Sequence, residues 1–280
     1  MNNKYTPELQ FVKDKLENEH GYKVGYIALQ GSQNYGLDIN TDDYKSDIDM
    51  KAIIIPDLDM LLDTNKPLST TIDINETITD GGYMIEKVEV KDIRHYFHIM
   101  AKGNPSYLEP MFSDYYLIDD EFIHEFEYFR RHMDDYTYNV KDKMIRAIYG
   151  MSREKEHALT KDYPSKVNLI EKYGYDSKQI MHILRLYLFA RDYYLLDSNF
   201  KSAITVTDNP LGHDKSYLLK VKKYDYDLKV VENLATNYIE LLSEIREKFK
   251  RDNTLTNRYI DNFDIHVKSI IKKHIKSDLE

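Results

Sequence analysis

The sequence of 280 residues contains no cysteine and no tryptophan. Without cysteine there are no disulfides, no thiolate metal ligands and no cysteine nucleophile. No segment approaches the roughly 20 apolar residues that a membrane-spanning helix needs. The first residues, MNNKYTPELQ, also lack the apolar core of a secretory signal. We therefore expect a soluble, cytoplasmic protein without a membrane partner.

Positive charge is scarce as well. The chain has 39 Lys and Arg residues against 48 Asp and Glu residues, which is a formal net charge of −9. Extended, non-specific nucleic-acid binding depends on many cationic contacts to phosphates. We therefore expect no extended nucleic-acid grip, although a short RNA end needs few contacts and is compatible with this charge.

The spacing of apolar residues changes near residue 118. Before it, helical patterns alternate with runs of strand length at Val24–Leu29, Asp47–Ile55 and Tyr83–Val90. After it, the periodicity is mostly helical. The sequence therefore predicts an α+β fold, with one domain over 1–118 and a helical domain over 119–280.

Two further segments carry fold predictions. Residues 57–80 are ambiguous, and we predict a helical turn followed by a loop. A helix capped by Asp92 is predicted next, because apolar residues recur on one of its faces. The stripe consists of Ile93, Tyr96, Phe97 and Met100.

The stretch GSQNYGLDINTDDYKSDID, residues 31–49, joins two apolar runs. Alternate residues of a strand face the same side, so Asp47 and Asp49 project together. Such close carboxylates repel each other, and Mg²⁺ relieves the repulsion because it takes oxygen ligands. A D-x-D pair alone is most often a cap or a solvated turn. The apolar run that follows favours a site at the end of a sheet.

Gly31 and Ser32 come directly after the first apolar run. Glycine lets the backbone approach a ligand closely, and backbone N–H groups at a turn attract phosphate. The serine hydroxyl adds a donor. A lone Gly-Ser is usually an ordinary turn, but its position before Asp-x-Asp and a second apolar run is more specific.

These motifs resemble the signature of the DNA polymerase beta-like nucleotidyltransferase superfamily. The order GSQNYGL, SDID, KGNP, LEPMF and GYDSKQIMHILRL over residues 24–195 is similar to a predicted nucleotidyltransferase family that includes RNA-ligase-associated and YcgL-type proteins. The resemblance implies a mixed sheet with helices and a helical lobe that closes over the nucleotide cleft. It also implies transfer of NMP from an NTP, such as ATP, to an acceptor hydroxyl.

The resemblance further implies two Mg²⁺ or Mn²⁺ ions and a third carboxylate on a later strand. We expect Glu89 to be that carboxylate, acting with Asp47 and Asp49 as metal ligand and catalytic residue. Glu86 is the alternative, which a regular strand would place on the apolar face of Val88.

Several residues outside these strands are implied to bind the nucleotide. Lys178, His182 and Arg185 share one face of a helix predicted from Ser177, and the resemblance implies contact with the triphosphate. Such a stripe alone is more often a solvated face. Asn104 of the KGNP motif is expected to line the cleft, although a Gly-Asn-Pro turn needs no further reason.

Two acidic features have structural interpretations. Asp42 and Asp43, in the loop before SDID, are expected to be solvated loop residues. Ser106 and Glu109 have the spacing of a capping box, which predicts another turn of helix.

The sequence leaves the acceptor open. An RNA 3′ end, a protein hydroxyl and a small molecule of the aminoglycoside type are all compatible with the residues. A catalytically idle nucleotide-binding or antitoxin-like module is a further alternative, which the intact Asp-x-Asp disfavours. A structural interaction protein is the remaining one.

Overall fold

A computed structural model describes most of the chain. The described residues are 4–38, 46–63, 67–78, 82–161, 163–164, 166–207, 214–250 and 258–279. The prediction for Asp42 and Asp43 lies outside them. Within these ranges, no helix combines the length and the apolar character required to cross a membrane.

Contacts within the chain group it into two compact units. The first comprises Met1–Val140 and Leu255–Glu280, and the second comprises Lys141–Thr254. The proposed domains 1–118 and 119–280 stay a prediction. The contact grouping differs from them because it assigns helices beyond residue 118 to the first unit.

The first unit contains a mixed sheet. Its strands are β1 Lys23–Gln30, β2 Ile48–Ile55, β3 Ser69–Glu76, β4 Ile85–Asp92 and β5 Tyr116–Ile118. Their order is β3-β4-β2-β1-β5. The β2–β4 pair is parallel, whereas the other neighbouring pairs are antiparallel. The predicted α+β fold with a mixed sheet is confirmed.

The helices, in chain order, are α1 Thr6–His20, α2 Ser32–Tyr35, α3 Leu58–Leu62, α4 Ile93–Met100, α5 Pro105–Leu108, α6 Ile123–Arg131, α7 Met133–Asn139, α8 Lys141–Ala158, α9 Val167–Tyr173, α10 Ser177–Ala190, α11 Phe200–Ile204, α12 Asp214–Lys222, α13 Leu228–Phe249 and α14 Arg258–Leu279. Short 3₁₀ turns lie at Glu109–Phe112 and Asp120–Phe122. Arg191–Leu195 forms a π-helical turn.

The loop predicted within residues 57–80 is wrong in part. The helical turn is present as α3, but the segment after it forms the strand β3. β3 is an edge strand that pairs only with β4 among the described strands, and Ile74 is its one buried residue. The sequence of β3 therefore shows little of the apolar alternation that would predict a strand.

The two faces of β2 have different surroundings. Ile48, Met50, Ala52 and Ile54 lie in the apolar core, together with residues of α1, β1 and β4. Asp49 and Lys51 alternate with them and therefore face the other side. This alternation gives the second face its charged residues at the start of β2.

Helix α4 packs as its spacing predicts. Ile93, Tyr96, Phe97 and Met100 are all buried. The Asp92 side chain caps the helix by accepting a hydrogen bond from the Arg94 N–H at 2.7 Å. Both predictions are confirmed.

The second unit is helical. Helix α10 contacts α8, α12 and α13. Its residues Ile180, Ile183 and Leu184 are buried and follow the helical period. The helix predicted from Ser177 is present, and the π-helical turn follows it from Arg191.

Candidate active site

Three carboxylates meet where β2 and β4 begin. Oxygen atoms of Asp47, Asp49 and Glu86 all lie within 4.8 Å of one another. Asp47 is exposed, and the other two are partly buried. Two oxygens bound to one Mg²⁺ lie at most about 4.2 Å apart, which is twice the bond length. The three side chains therefore fit a divalent cation after a small inward movement, and we call them the carboxylate cluster.

The register between β2 and β4 explains why Glu86 joins the aspartates. Ile48 is opposite Ile85, but Asp49 is opposite Lys87, so Glu86 is an extra residue in β4. Such a bulge re-aims a side chain and interrupts the alternation of a strand. The expectation for Glu89 assumed a regular strand, and the structure brings Glu86 to the aspartates instead.

Glu89 lies in a separate ion-pair network. Lys51 Nζ is 3.0 Å from its Oε2, and Lys91 Nζ is 2.8 Å from its Oε1. The Tyr107 hydroxyl also donates a hydrogen bond to Oε1 at 3.0 Å. Burial acts to raise the pKa of Glu89, but the two lysines outweigh it and lower that pKa to about 2. Both carboxylate oxygens are thus already bound by cations.

Lys51 anchors this network from inside the fold. Its side chain is 1% exposed, and its Nζ donates a hydrogen bond to the Ser106 carbonyl at 2.9 Å. The ammonium also lies 3.8 Å from the centroid of the Tyr107 ring. Because a buried ammonium needs compensating partners, Glu89 is required to neutralise Lys51.

One lysine lies against the carboxylate cluster. Lys87 Nζ is 3.4 Å from Glu86 Oε1 and 4.0 Å from Asp49 Oδ1. Burial acts to lower the pKa of Lys87, but attraction to the two carboxylates raises it overall. The pKa of Glu86 is raised, mainly by its hydrogen bond with Asp47 and then by burial. The three clustered carboxylates are oxygen ligands of the kind that a divalent cation takes.

The Gly31-Ser32 turn lies beside the cluster. Gln30, the last residue of β1, is opposite Asp49 in the sheet. The Gln33 side-chain amide donates a hydrogen bond to the Asp47 carbonyl at 2.8 Å. Gly31 has φ 87° and ψ −141°, a conformation that favours glycine. The structure thus brings Gly31 and Ser32 to the aspartates, and their contact with a nucleotide stays a prediction.

Glu109 holds this turn by hydrogen bonds. The sequence did not predict this role for Glu109. Its Oε1 accepts hydrogen bonds from the Gly31 N–H at 2.9 Å and from Asn34 Nδ2 at 3.0 Å. Tyr35 donates its hydroxyl hydrogen to Oε2. Glu109 is 2% exposed. The available signal was a single acid inside the otherwise apolar segment LEPMF.

The turn of helix predicted from Ser106 and Glu109 is present as α5, but the capping box is not. The Asn104 side chain caps α5 instead, since its Oδ1 accepts a hydrogen bond from the Ser106 N–H at 3.0 Å. Glu109 turns away from that helix start because its carboxylate bonds the Gly31 turn. Asn104 therefore has a structural role at this helix, and its predicted nucleotide contact is untested.

The remaining predicted nucleotide contacts lie in the second unit. Along α10, Lys178 is exposed, His182 is half-buried and Arg185 is buried. Burial lowers the pKa of His182 well below its usual value, and Arg185 and Lys178 lower it further. Lys155 of α8 and Lys222 of α12 add to this effect. His182 is therefore a neutral imidazole at neutral pH.

Comparison with known protein families defines the chain as polymerase beta-like, in agreement with its sheet and carboxylates. The chain belongs to the RNA repair pathway DNA polymerase beta family, RlaP, which matches residues 8–266. The predicted superfamily is confirmed, whereas the YcgL-type name is not part of this match. Comparisons with curated proteins and with solved structures found no match.

Proposed function

We propose that the protein transfers a nucleoside monophosphate from an NTP to an acceptor hydroxyl, and that the acceptor is an RNA 3′ end. The observation that carries the proposal is the carboxylate cluster of Asp47, Asp49 and Glu86 beside the Gly31-Ser32 turn. The chain belongs to a polymerase beta family whose description refers to an RNA repair pathway, and this membership supports both the reaction and the acceptor.

The carboxylate cluster would hold Mg²⁺ or Mn²⁺, and two ions suit an in-line displacement. When bound, the metal lowers the pKa of the attacking hydroxyl and offsets charge on the phosphates. Glu86 takes the place in the ligand set that the sequence assigned to Glu89. Glu89 neutralises Lys51 and Lys91 in its separate network.

The turn residues have separate roles in the proposed site. The Gly31 N–H is engaged by Glu109, so we assign Gly31 to the shape of the turn and the phosphate contact to Ser32. The Ser32 hydroxyl lies 3.3 Å from Gln33 Oε1 and is partly exposed. It can therefore donate a hydrogen bond to a phosphate oxygen by a side-chain rotation.

The proposed reaction forms one bond and breaks another. The acceptor oxygen bonds to the α-phosphorus of the NTP, and the bond from that phosphorus to the bridging oxygen breaks. Pyrophosphate leaves with the electron pair, and the hydroxyl proton passes to solvent. Positioning and charge stabilisation carry most of the rate in such transfers.

Cations of the second unit supply further phosphate contacts in this proposal. Lys178, His182 and Arg185 lie on one helix, α10, and the two cationic side chains suit phosphate oxygens as partners. We expect Lys178→Ala with Arg185→Ala to raise the KM for NTP about tenfold or more, with a smaller change in kcat.

The test measures transfer of label from α-labelled ATP, CTP, GTP and UTP with Mg²⁺ or Mn²⁺. Acceptors are short RNAs with a free or a blocked 3′ hydroxyl, total tRNA, the protein itself and aminoglycosides. We expect labelling only of RNA with a free 3′ hydroxyl. Asp49→Asn should lower the rate at least about 100-fold, because a lost metal ligand removes several kcal/mol of stabilisation.

Asp59→Asn is the matched control, because Asp59 is an exposed aspartate on α3 beyond the other end of β2. It should retain the wild-type rate. Label on the protein or on an aminoglycoside would show that this molecule, and not RNA, is the acceptor. Metal-dependent NTP binding without any transfer would indicate an idle nucleotide-binding module. A protein that binds no NTP with metal would contradict the nucleotidyltransferase proposal altogether.

A further inference from the structure

The second unit contains a cavity of about 430 Å³. Its walls come from α10, the π-helical turn that follows it, α12 and α13. Four leucines and three tyrosines supply most of the lining, together with Arg191, Asp214 and Asn237. This volume lies within the range of about 300–1,000 Å³ that is usual for small-ligand sites.

The aromatic part of the lining comes from three helices. Tyr187 of α10 and Tyr238 of α13 have ring centroids 4.8 Å apart and an interplanar angle of 56°. Tyr217 of α12 is hydrogen-bonded to Tyr238. Burial is the main cause that raises the pKa values of Tyr217 and Tyr238, so both remain neutral phenols. All three rings are partly exposed, and they offer apolar surface to a planar ligand.

The polar part of the lining is charge-balanced. Arg191 Nη2 lies 3.0 Å from Asp214 Oδ2, and Arg191 Nε lies 2.6 Å from Asp192 Oδ1. The guanidinium therefore has carboxylates beside it, which disfavours a phosphate ligand. Asn237 adds an exposed amide with both donors and an acceptor.

The π-helical turn contributes to this arrangement. Arg191 is its first residue and lies in the cavity wall. π-helical turns are rare, and they occur frequently at functional sites. The turn follows the regular α10 at the cavity wall.

We infer that this cavity binds a nucleobase. A base is planar and apolar on its faces, which suits tyrosine rings, and base–aromatic stacking is a general mode of single-strand recognition. The edge of a base carries donors and acceptors, which suit Arg191, Asp214 and Asn237. The inference rests on the proposed function for the presence of a nucleotide substrate, and the base belongs either to single-stranded RNA or to the NTP.

The absence of tryptophan from the chain makes a direct test available. Tyr238→Trp introduces a single tryptophan into the cavity wall. Tyr163→Trp is the matched control, since Tyr163 is in the second unit, is 41% exposed and does not line the cavity. Tryptophan fluorescence is titrated with an eight-nucleotide single-stranded RNA, an abasic oligonucleotide of the same length, and each NTP.

We expect saturable quenching in Tyr238→Trp, with RNA binding about tenfold or more tightly than the abasic oligonucleotide. Tyr163→Trp should show no saturable quenching. Stronger quenching by RNA than by NTP would assign the base to the RNA, and the reverse order would assign it to the NTP. Equal quenching by abasic and base-containing oligonucleotides without quenching by any NTP, or no quenching by any ligand, would overturn the inference.

A second measurement uses the native aromatic residues. Tyr187→Leu should weaken binding about tenfold for whichever ligand quenches most strongly, whereas Tyr163→Leu should leave that binding unchanged. The affinity is measured by fluorescence anisotropy with a fluorescent derivative of that ligand. Thermal unfolding checks that each variant is folded.

Asp49→Asn in the Tyr238→Trp background should keep the quenching. Quenching without any NMP transfer in the wild type would leave the cavity inference intact and remove the proposed function, and transfer without quenching would do the opposite.

Discussion

The carboxylate cluster gathers negative charge in a small volume. Among the described side chains, the Lys87 ammonium lies beside Asp47, Asp49 and Glu86, with its Nζ 3.4 Å from Glu86 Oε1. The bulge in β4 is what brings Glu86 to the aspartates. Glu89, three residues further along the same strand, has both carboxylate oxygens bound by lysines. Of these two glutamates in β4, Glu86 is therefore placed to bind a metal ion, whereas Glu89 is occupied by its lysine partners.

This difference predicts separate effects for the two glutamates. Glu86→Gln should raise the Mg²⁺ concentration needed for half-maximal activity by about tenfold or more, because it removes one charged oxygen ligand. Glu89→Gln should leave the Mg²⁺ dependence of the folded protein within about twofold. Isothermal titration with Mg²⁺ checks both variants. A larger metal effect for Glu89→Gln than for Glu86→Gln would contradict the assignment.

The pH dependence of stability provides a second prediction for Glu89. Its pKa falls from 4.5 to about 2 in the folded state. A lowered pKa contributes stability above the unfolded pKa, and that contribution is lost as the pH falls through the folded value. The shift corresponds to roughly 3 kcal/mol at neutral pH. The excess stability of the wild type over Glu89→Gln should therefore shrink between about pH 5 and pH 2.

Denaturant unfolding of both proteins at several pH values measures this difference. Glu86→Gln, unfolded in the presence of a chelator, is the control with the opposite sign, because the pKa of Glu86 is raised. Its stability relative to the wild type should not fall as the pH increases from 5 to 7. A wild-type excess over Glu89→Gln that stays constant down to pH 2 would contradict the ion-pair assignment.

At the scale of elements, the turn between β1 and α2 depends on one backbone conformation and one distant carboxylate. Gly31 adopts φ 87° and ψ −141°, and Glu109 accepts a hydrogen bond from its N–H. Apart from its two chain neighbours, no atom of the described residues lies within 4 Å of a Cβ built at Gly31. The requirement for glycine is therefore conformational rather than steric.

Gly31→Ala should lower the free energy of unfolding by about 1–3 kcal/mol, because this backbone region is strained for residues with a Cβ. It should also reduce activity by moving Ser32. Gly21→Ala is the matched control, since Gly21 has φ 68° and equally open surroundings but ends α1. Denaturant unfolding should show a cost nearer 1 kcal/mol for Gly21→Ala, with unchanged transfer activity.

Elements with a strong one-dimensional pattern are the ones that the sequence predicts well. The stripe of α4 and the buried positions of α10 follow the helical period, so local spacing is sufficient. β3 has one buried residue and is stabilised by its pairing with β4. A segment of this kind shows little apolar alternation, so its sequence resembles a loop.

At the scale of the whole molecule, the chain returns to its first unit at its end. Phe263 of α14 is 1% exposed, and its ring centroid lies 4.9 Å from that of Phe129 and 4.5 Å from that of Tyr136. The first unit, which contains the sheet and the carboxylate cluster, is therefore completed by a helix that follows the whole second unit.

Phe263→Ala should destabilise the first unit by about 3–5 kcal/mol, since it leaves a cavity among aromatic side chains. Ile265→Ala is the matched control, because Ile265 lies two residues away on α14 and is 63% exposed. Its cost should stay within about 0.5 kcal/mol. Hydrogen exchange should show the loss of protection in the first unit. Loss confined to Lys141–Thr254 would contradict this packing.

The sequence by itself determined the features that depend on residues close together in the chain. These are the Gly31-Ser32 turn motif, the Asp-x-Asp pair, the helical stripes and the α+β class, which all follow from local spacing and residue chemistry. The tertiary structure decided the remainder. The β2–β4 register selects Glu86, Glu109 reaches Gly31 across 78 positions, and α14 joins the first unit. Each of these depends on pairing and packing between distant segments, and such contacts are not encoded in the pattern of any one segment.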